Sequence, residues 1–361
     1  MHILVATDAW HPQVCGVVRT LESLAASVAS VGSAITFLTP DGFPSMPVPT
    51  YPGLRFALPS PREVAARVER ARPDAIHVAT EGPIGFLTRR YCLKNGLPFT
   101  TSFTTRFPEY IAARAPFPVA WGYAILRRFH SPATITMVST VSLMSELAAR
   151  GFERLKIWSR GVDTDLFRPD RAVDLDLPRP IFMSVGRIAP EKNLEAFLSL
   201  DLPGTKVVIG DGPQEAELKA RFPDARFLGN LFGERLAAHV AAADVFVFPS
   251  KTDTFGIVQL EALSSGVPVA AYPVTGPRDV IGNAPVGALD NDLKRACLGA
   301  LRLSRRDCRQ HAQQFSWQAS AAQFLSHASH VATDVFRARS TARVQGVDVP
   351  LRSLGSVVGS S

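Results

Sequence analysis

The sequence predicts an α/β protein built from two doubly wound parallel-sheet domains that face each other across a cleft. Three observations carry that expectation. The chain has 361 residues, and at ~100–200 residues per domain that length suits two substantial cores. Short apolar runs alternate with stretches whose apolar residues recur at helical spacing, the pattern of parallel strands covered on both faces. The alternation breaks at the Pro- and Asp-rich stretch 165–180, "DLFRPDRAVDLDLPRP", and then restarts, as at a linker.

In the first half, "HILVAT" (2–7) reads as a strand and "VVRTLESLAASVASVG" (17–32) as a helix. "AITFLTP" (34–40) is the next strand, and "REVAARVERARP" (62–73) a helix stopped by proline. "AIHVAT" (75–80) is a strand, "GFLTRRYCLKNG" (85–96) a helix with a glycine stop, and "LPFTTSF" (97–103) a strand. "TITMVST" (134–140) closes this half. In the second half, strands are expected at 181–186, 205–210, 225–229, 245–250 and 267–272. Helices are expected from Leu194, from Pro213, over 234–243 and after Gly256, with a last helical stretch at 316–340. The expected division is a domain over 1–168, a second over 169–320, a terminal helix over 321–340 and a mobile tail over 341–361, which lacks periodicity. In such sheets ligands sit beyond the carboxyl ends of the strands.

Composition narrows the class. Hydrophobic content of 46% and charged content of 20% are ordinary for a globular protein. No apolar run approaches the ~18 residues of a spanning helix, and the N-terminus reads as a strand, not a signal peptide. Cys15, Cys92, Cys297 and Cys308 form no C-x-x-C pair, so a reducing cytosol fits and a zinc site does not. The net charge of +7 is uneven: residues 1–170 carry 18 Lys/Arg against 13 Asp/Glu (+5), the rest 21 against 19 (+2). A basic half suits an anionic partner such as a membrane surface, or else a solvated face plus phosphate-binding residues. No aromatic-interleaved basic cluster or zinc-finger spacing supports nucleic acid, and none is expected as a partner.

Three glycine turns at strand ends could carry chemistry. "SVGRIAPEKNLEAF" (184–197) places Gly186, Arg187 and Lys192 ahead of a helix start, where amides and cations can receive phosphate. "VVIGDGPQEAELKARF" (207–222) places Gly212 before a helix-starting proline. "HPQVCGVVRTL" (11–21) places Gly16 before the first helix. Read alone, each also fits an ordinary βα turn. In "PSKTDTFGIVQLEALSSGVPVAAYPV", Asp253 and Glu261 stand eight apart, with Phe255, Gly256 and Ile257 at the intervening helix start. Cations and amides suit a diphosphate, and carboxylates suit sugar hydroxyls. Jointly these loops describe a nucleotide-sugar pocket. Neither G-x-G-x-x-G after the first strand nor G-x-x-x-x-G-K-[ST] is present, which removes the sequence support for a nicotinamide-dependent oxidoreductase or a P-loop hydrolase.

On "SVGRIAPEKNL", "VVIGDGP", "FLGNL" and "PSKTDTFGIVQLEALSSGVPVAAYPVTGP", the second half resembles the retaining GT-B glycosyltransferases of glycosyltransferase family 4. "DAWHPQVCGVVRTL", "DAIHVATEGPIG", "TSFTTRFPEYIAAR" and "WSRGVDTDLFRP" extend the resemblance over about residues 2–282. The nearest branches are glycolipid glycosyltransferases of bacteria and plants and GDP-mannose-dependent mannosyltransferases. The resemblance implies two Rossmann-like domains. It implies Gly16, Gly186, Arg187, Lys192, Gly212, Asp253, Phe255, Gly256, Ile257 and Glu261 as donor-binding residues. Arg187, Lys192 and Asp253 would be catalytic, and Glu261 would hold the ribose. His77, Thr104 and Arg106 would border the acceptor, although His77, in an apolar strand, equally fits a structural histidine of the core. Two positions depart from the family: Asp253 replaces the first Glu of E-x7-E, and Thr104 stands where many relatives carry His. The implied reaction is hexosyl transfer from a UDP- or GDP-sugar, without metal or cofactor, to a lipid or glycolipid hydroxyl such as that of diacylglycerol. Its place would be the cytoplasm, peripheral on the inner membrane face. A mannosyltransferase of polysaccharide synthesis and an inactive sugar-nucleotide binding module are the alternatives.

Overall fold

The structure is a computed structural model that describes residues 1–12, 15–48, 51–114 and 116–332. The end of the expected terminal helix and the tail from Thr341 lie outside the described residues.

The first lobe runs β1 (His2–Ala6), α1 (Gly16–Ala29), β2 (Ala34–Leu38), β3 (Ser45–Val48), β4 (Tyr51–Ala57), α2 (Pro61–Ala71), β5 (Ala75–Val78), α3 (Pro83–Lys94) and β6 (Thr100–Phe103). It continues through α4 (Phe107–Ala112), α5 (Val119–His130), β7 (Ile135–Val138), α6 (Val141–Ala149) and β8 (Leu155–Ile157). The second runs β9 (Ile181–Val185), α7 (Leu194–Leu198), β10 (Thr205–Ile209), α8 (Glu215–Arg221), β11 (Arg226–Phe227), α9 (Gly233–Ala241) and β12 (Val245–Phe248). It ends with α10 (Ile257–Ser264), β13 (Val269–Ala271), α11 (Pro277–Ile281), β14 (Gly287–Leu289), α12 (Leu293–Ala300), α13 (Arg305–Ala312) and α14 (Trp317–Ser329).

Each lobe holds one six-stranded parallel sheet. The orders are β2-β1-β5-β6-β7-β8 and β11-β10-β9-β12-β13-β14. The apolar strands are covered on both faces. In β1, Leu4 and Ala6 pack under α2 and α3, while Ile3 and Val5 pack under α1 and α14. The second sheet repeats this, with Met183 and Phe246 on one face and Phe182 and Val247 on the other.

Several features go beyond the sequence pattern, among them two edge strands and the path of the last helix. β8 closes the first sheet beyond β7, and β14 closes the second; at three residues each they are too short to show a period. α14 also returns from the second lobe to the first sheet. Trp158 Nε1 donates to Ser320 Oγ (3.1 Å), Ser159 N donates to Gln323 Oε1 (2.9 Å), and Phe324 fills the space beside Trp158.

Candidate functional site

Both sheets change winding direction once, between β1 and β5 and between β9 and β12. A crevice opens at that point, beyond the carboxyl ends of the strands. In the second lobe β9 ends at Val185, so Gly186 and Arg187 form one lip. β12 ends at Phe248, and Pro249 and Ser250 form the other. With Lys192 these residues line a small pocket. Gly186 has φ +149° and leaves open space where a side chain would stand.

Lys192 closes a single 3₁₀ turn, Pro190–Lys192. Asn193 follows in the left-handed region (φ 52°), and its side-chain amide donates to Pro249 O at 3.0 Å. Ser250 Oγ donates to Glu191 O at 3.0 Å. These two bonds stitch the Lys192 turn to the loop after β12. Lys192 Nζ thereby donates to both carboxylate oxygens of Asp253, each at 2.8 Å.

Beyond Asp253 the chain turns into α10 through Gly256 (φ +80°), so the amides of Phe255, Gly256 and Ile257 stand at the helix start. The Phe255 ring is buried in the core of the lobe, leaving its backbone for the site. Gly212 lies where two βα loops meet: an added Cβ would lie 2.3 Å from Ile188 O.

Glu261, in the second turn of α10, is 4% exposed and pairs at 2.9 Å with Arg19 from α1 of the first lobe. Burial pushes the Glu261 carboxyl up, and the Arg19 guanidinium opposes that shift. Arg19 was not among the expected site residues, although it lies in the quoted "VCGVVRTL" segment. Gly16 is one helical turn before it and faces open space, so the start of α1 is brought to α10.

The first lobe meets the same crevice at α4 and β7. Thr254 Oγ1 donates to Thr104 O (2.8 Å), and Ser139 Oγ donates to Thr254 O (2.9 Å). Arg114 pairs with Glu191 at 2.5 Å. The Thr104 hydroxyl itself is buried without a hydrogen-bond partner. Tyr110, on α4, lies in the field of Asp253 and Glu191. Burial first and those carboxylates second push its phenol well up, with Arg187 and Arg114 opposing.

Two acceptor-side expectations are corrected. His77 is fully buried; its ring bonds Thr100 Oγ1 (2.8 Å) and Ser102 Oγ (3.2 Å) and packs on Phe324. It faces the core because it alternates inward on a strand covered on both faces. Arg106 is locked in a bidentate pair with Glu146 (2.7 and 2.6 Å) and is also buried. Both hold the first lobe together. Of the expected residues, Gly186, Arg187, Lys192, Asp253, Gly256, Ile257 and Glu261 line or flank the second lobe's crevice, and Gly16 and Thr104 approach it from the first.

Comparison with known proteins decides the family. The model for glycosyl transferases group 1 matches residues 169–291, and that for glycosyltransferase family 4 matches residues 14–166. The GDP-mannose-dependent alpha-mannosyltransferase of Mycolicibacterium smegmatis is 31% identical over 319 residues, covering 80% of this chain and 84% of that protein. The chain belongs to the family 4, group 1 glycosyltransferases.

Other members of this glycosyltransferase family match as well. The sulfoquinovosyl transferase SQD2 of Arabidopsis thaliana is 32% identical over 260 residues, 66% of this chain; the match spans half of the plant protein's length. The alpha-monoglucosyldiacylglycerol synthase of Streptococcus pneumoniae is 25% identical over 355 residues, 86% of this chain and 80% of that one. A sucrose-phosphate synthase from Thermosynechococcus elongatus superposes with a TM-score of 0.72 over 90% of this chain and 97% of that one, at 20% identity. That likeness gives the fold: the two facing lobes are GT-B. The glycosyltransferase is an enzyme whose two lobes meet at the crevice described above.

Proposed function

We propose that the protein is a retaining hexosyltransferase that takes a sugar from a nucleoside diphosphate and places it on a hydroxyl of a membrane lipid or glycolipid. The observation that carries the reading is the Lys192–Asp253 pair at 2.8 Å at the lip of the β9/β12 crevice, with the amides of the α10 start beside it and Glu261 behind. Lys192 and Arg187 supply positive charge where a diphosphate would leave, the kind of fixed charge that stabilises a developing anion. Asp253 accepts from sugar hydroxyls, and Glu261 accepts from the ribose in place of Arg19. The acceptor oxygen forms its bond to the anomeric carbon on the face from which the diphosphate departs. The acceptor proton passes to a leaving phosphate oxygen. Closure of the lobes excludes water and so favours transfer over hydrolysis.

The lipid acceptor is supported by one relative named for monoglucosyldiacylglycerol synthesis and by the excess positive charge of the first lobe. A second reading, mannosyl transfer from GDP-mannose in glycan synthesis, is favoured by the mannosyltransferase similarity. The deciding experiment supplies radiolabelled UDP-glucose or GDP-mannose with either diacylglycerol vesicles or a soluble glycan. The expected outcome is a labelled lipid whose anomeric configuration by NMR matches that of the donor. Label in the soluble glycan alone would select the second reading. Label in neither, with donor still bound, would leave a sugar-nucleotide binding module.

A further inference from the structure

We infer that the outward face formed by α3 and α5 is a docking surface for an anionic lipid bilayer. The inference deepens the proposed lipid acceptor and rests on that reading. The two helices are neighbours: Arg89 of α3 donates to Phe129 O (2.8 Å) and Arg128 O (3.0 Å) of α5, and Phe86 packs edge-on against Phe129 at 4.8 Å. Each turns its buried residues toward the sheet, as expected, but what it turns outward is unusual. On α3 the exposed positions include Phe86, Arg90 and Leu93; on α5 they include Trp121, Ile125 and Arg128. Trp121 is 68% exposed and Ile125 55%. Large apolar groups clustered on an exposed face mark an interaction site.

Charge names the partner. α3 and α5 together carry five Lys/Arg and no Asp or Glu. Among the described residues no carboxylate pairs with Arg90, Lys94, Arg127 or Arg128. Tryptophan, aliphatic and cationic side chains on one helical face suit the headgroup zone of a bilayer: the apolar groups enter, and the cations meet anionic headgroups. A folded acidic protein would use the cations but leave Phe86, Leu93, Trp121 and Ile125 without an apolar medium to enter.

Placement links the surface to the site. α3 leaves the carboxyl end of β5, and α5 runs back toward the amino end of β7. Both helices therefore start at the edge of the sheet that borders the crevice. Phe86 and Trp121 lie near those starts, while Lys94 and Arg128 lie toward the far ends. The apolar end of the face is thus next to the acceptor side, where a lipid would leave the bilayer.

The test is co-sedimentation of the full chain with vesicles of equal parts phosphatidylglycerol and phosphatidylcholine, and with pure phosphatidylcholine, at low salt. The wild type should pellet with the mixed vesicles only. Arg90→Glu/Arg128→Glu should weaken partitioning by about tenfold or more, since it replaces two attractions to the anionic surface by two repulsions. Trp121→Ala/Ile125→Ala, which leaves the charge intact, should weaken it similarly. Arg302→Glu/Arg306→Glu, an equal charge change on exposed positions of the second lobe, should have little effect. None of these residues lies in the crevice, so binding of sugar nucleotide should persist in every variant. Loss of vesicle binding to the same extent in the second-lobe variant, no effect of Trp121→Ala/Ile125→Ala, or equal retention of single-stranded DNA at the same salt would each overturn the inference. Absent vesicle binding with intact transfer to a soluble acceptor sinks the docking surface alone; vesicle binding without any transfer sinks the lipid-transferase reading.

Discussion

At the scale of single residues, the site is a set of charges held in partnership. Lys192 has Asp253 and Glu261 has Arg19, so each of these two groups is compensated within the chain itself. Burying such a charge alone would be costly. His77 shows the opposite solution: buried and neutral, with its titration pushed down from 6.5 to about 3, first by burial and then by Arg160 and His130. Between those values the unfolded chain binds a proton that the folded chain refuses. Stability therefore rises with pH across the window and is lost as pH falls below about 6.5. At ~1.4 kcal/mol per unit, a drop from pH 6.5 to 4.5 removes on the order of 3 kcal/mol. In urea titrations at those two pH values, His77→Gln should lose less stability than the wild type over the same interval. Equal losses would contradict the burial reading. The sequence shows a histidine in an apolar strand but not which way it points, so a core role and an acceptor-side role could not be separated there. Arg19 was hidden for a related reason: its partner is 242 residues away, and only the meeting of the lobes brings them together.

At the scale of elements, the legible parts were those whose local chemistry is decisive. Apolar strands of four or five residues, glycine turns at their ends and the Pro-rich linker could all be read in order. β8, β14 and the α4–α5 pair could not, because three residues carry no period and α5 exposes Trp121 and Ile125 where an amphipathic helix normally exposes polar groups. The turn into α10 is the element on which the site depends. At Gly256 the left-handed φ of +80° and a space in which an added Cβ would lie 2.7 Å from the Phe248 ring both require glycine. Gly256→Ala should cost about 1–3 kcal/mol in thermal unfolding. It should also displace Asp253 and lower kcat/KM by at least about tenfold. Gly233→Ala, also at positive φ but with open space around it, should lose about 1 kcal/mol and keep its activity. Equal activity in the two variants would show that the α10 turn does not position the chemistry.

At the scale of the whole molecule, the two lobes are tied by Arg19–Glu261, Arg114–Glu191 and Thr254–Thr104 and also by α14. That helix lies after the second lobe in sequence but covers the first sheet, with Phe324 fully buried beside Trp158 and His77. Phe324→Ala should cost about 3–5 kcal/mol. In hydrogen exchange the loss of protection should fall on β1, β5 and α1, and not on β9, β10 or β12. Faster exchange spread evenly over both sheets, or confined to the second, would mean that α14 does not stabilise the first lobe. The alternation of strands and helices made the two-lobed architecture readable, but nothing local in "WQASAAQFLSHAS" says on which lobe it folds down.

The central claim is that the second lobe's loops grip one activated sugar, with cations on its diphosphate and carboxylates on its hydroxyls. Calorimetric titration of UDP-glucose, GDP-mannose and NAD into the wild type, Lys192→Ala and Glu261→Gln tests it most directly. One of the two sugar nucleotides should bind the wild type, both substitutions should weaken it by about tenfold or more while the fold is kept by circular dichroism, and NAD should not bind. Failure of both sugar nucleotides to bind, or binding indifferent to Lys192 and Glu261, would contradict it.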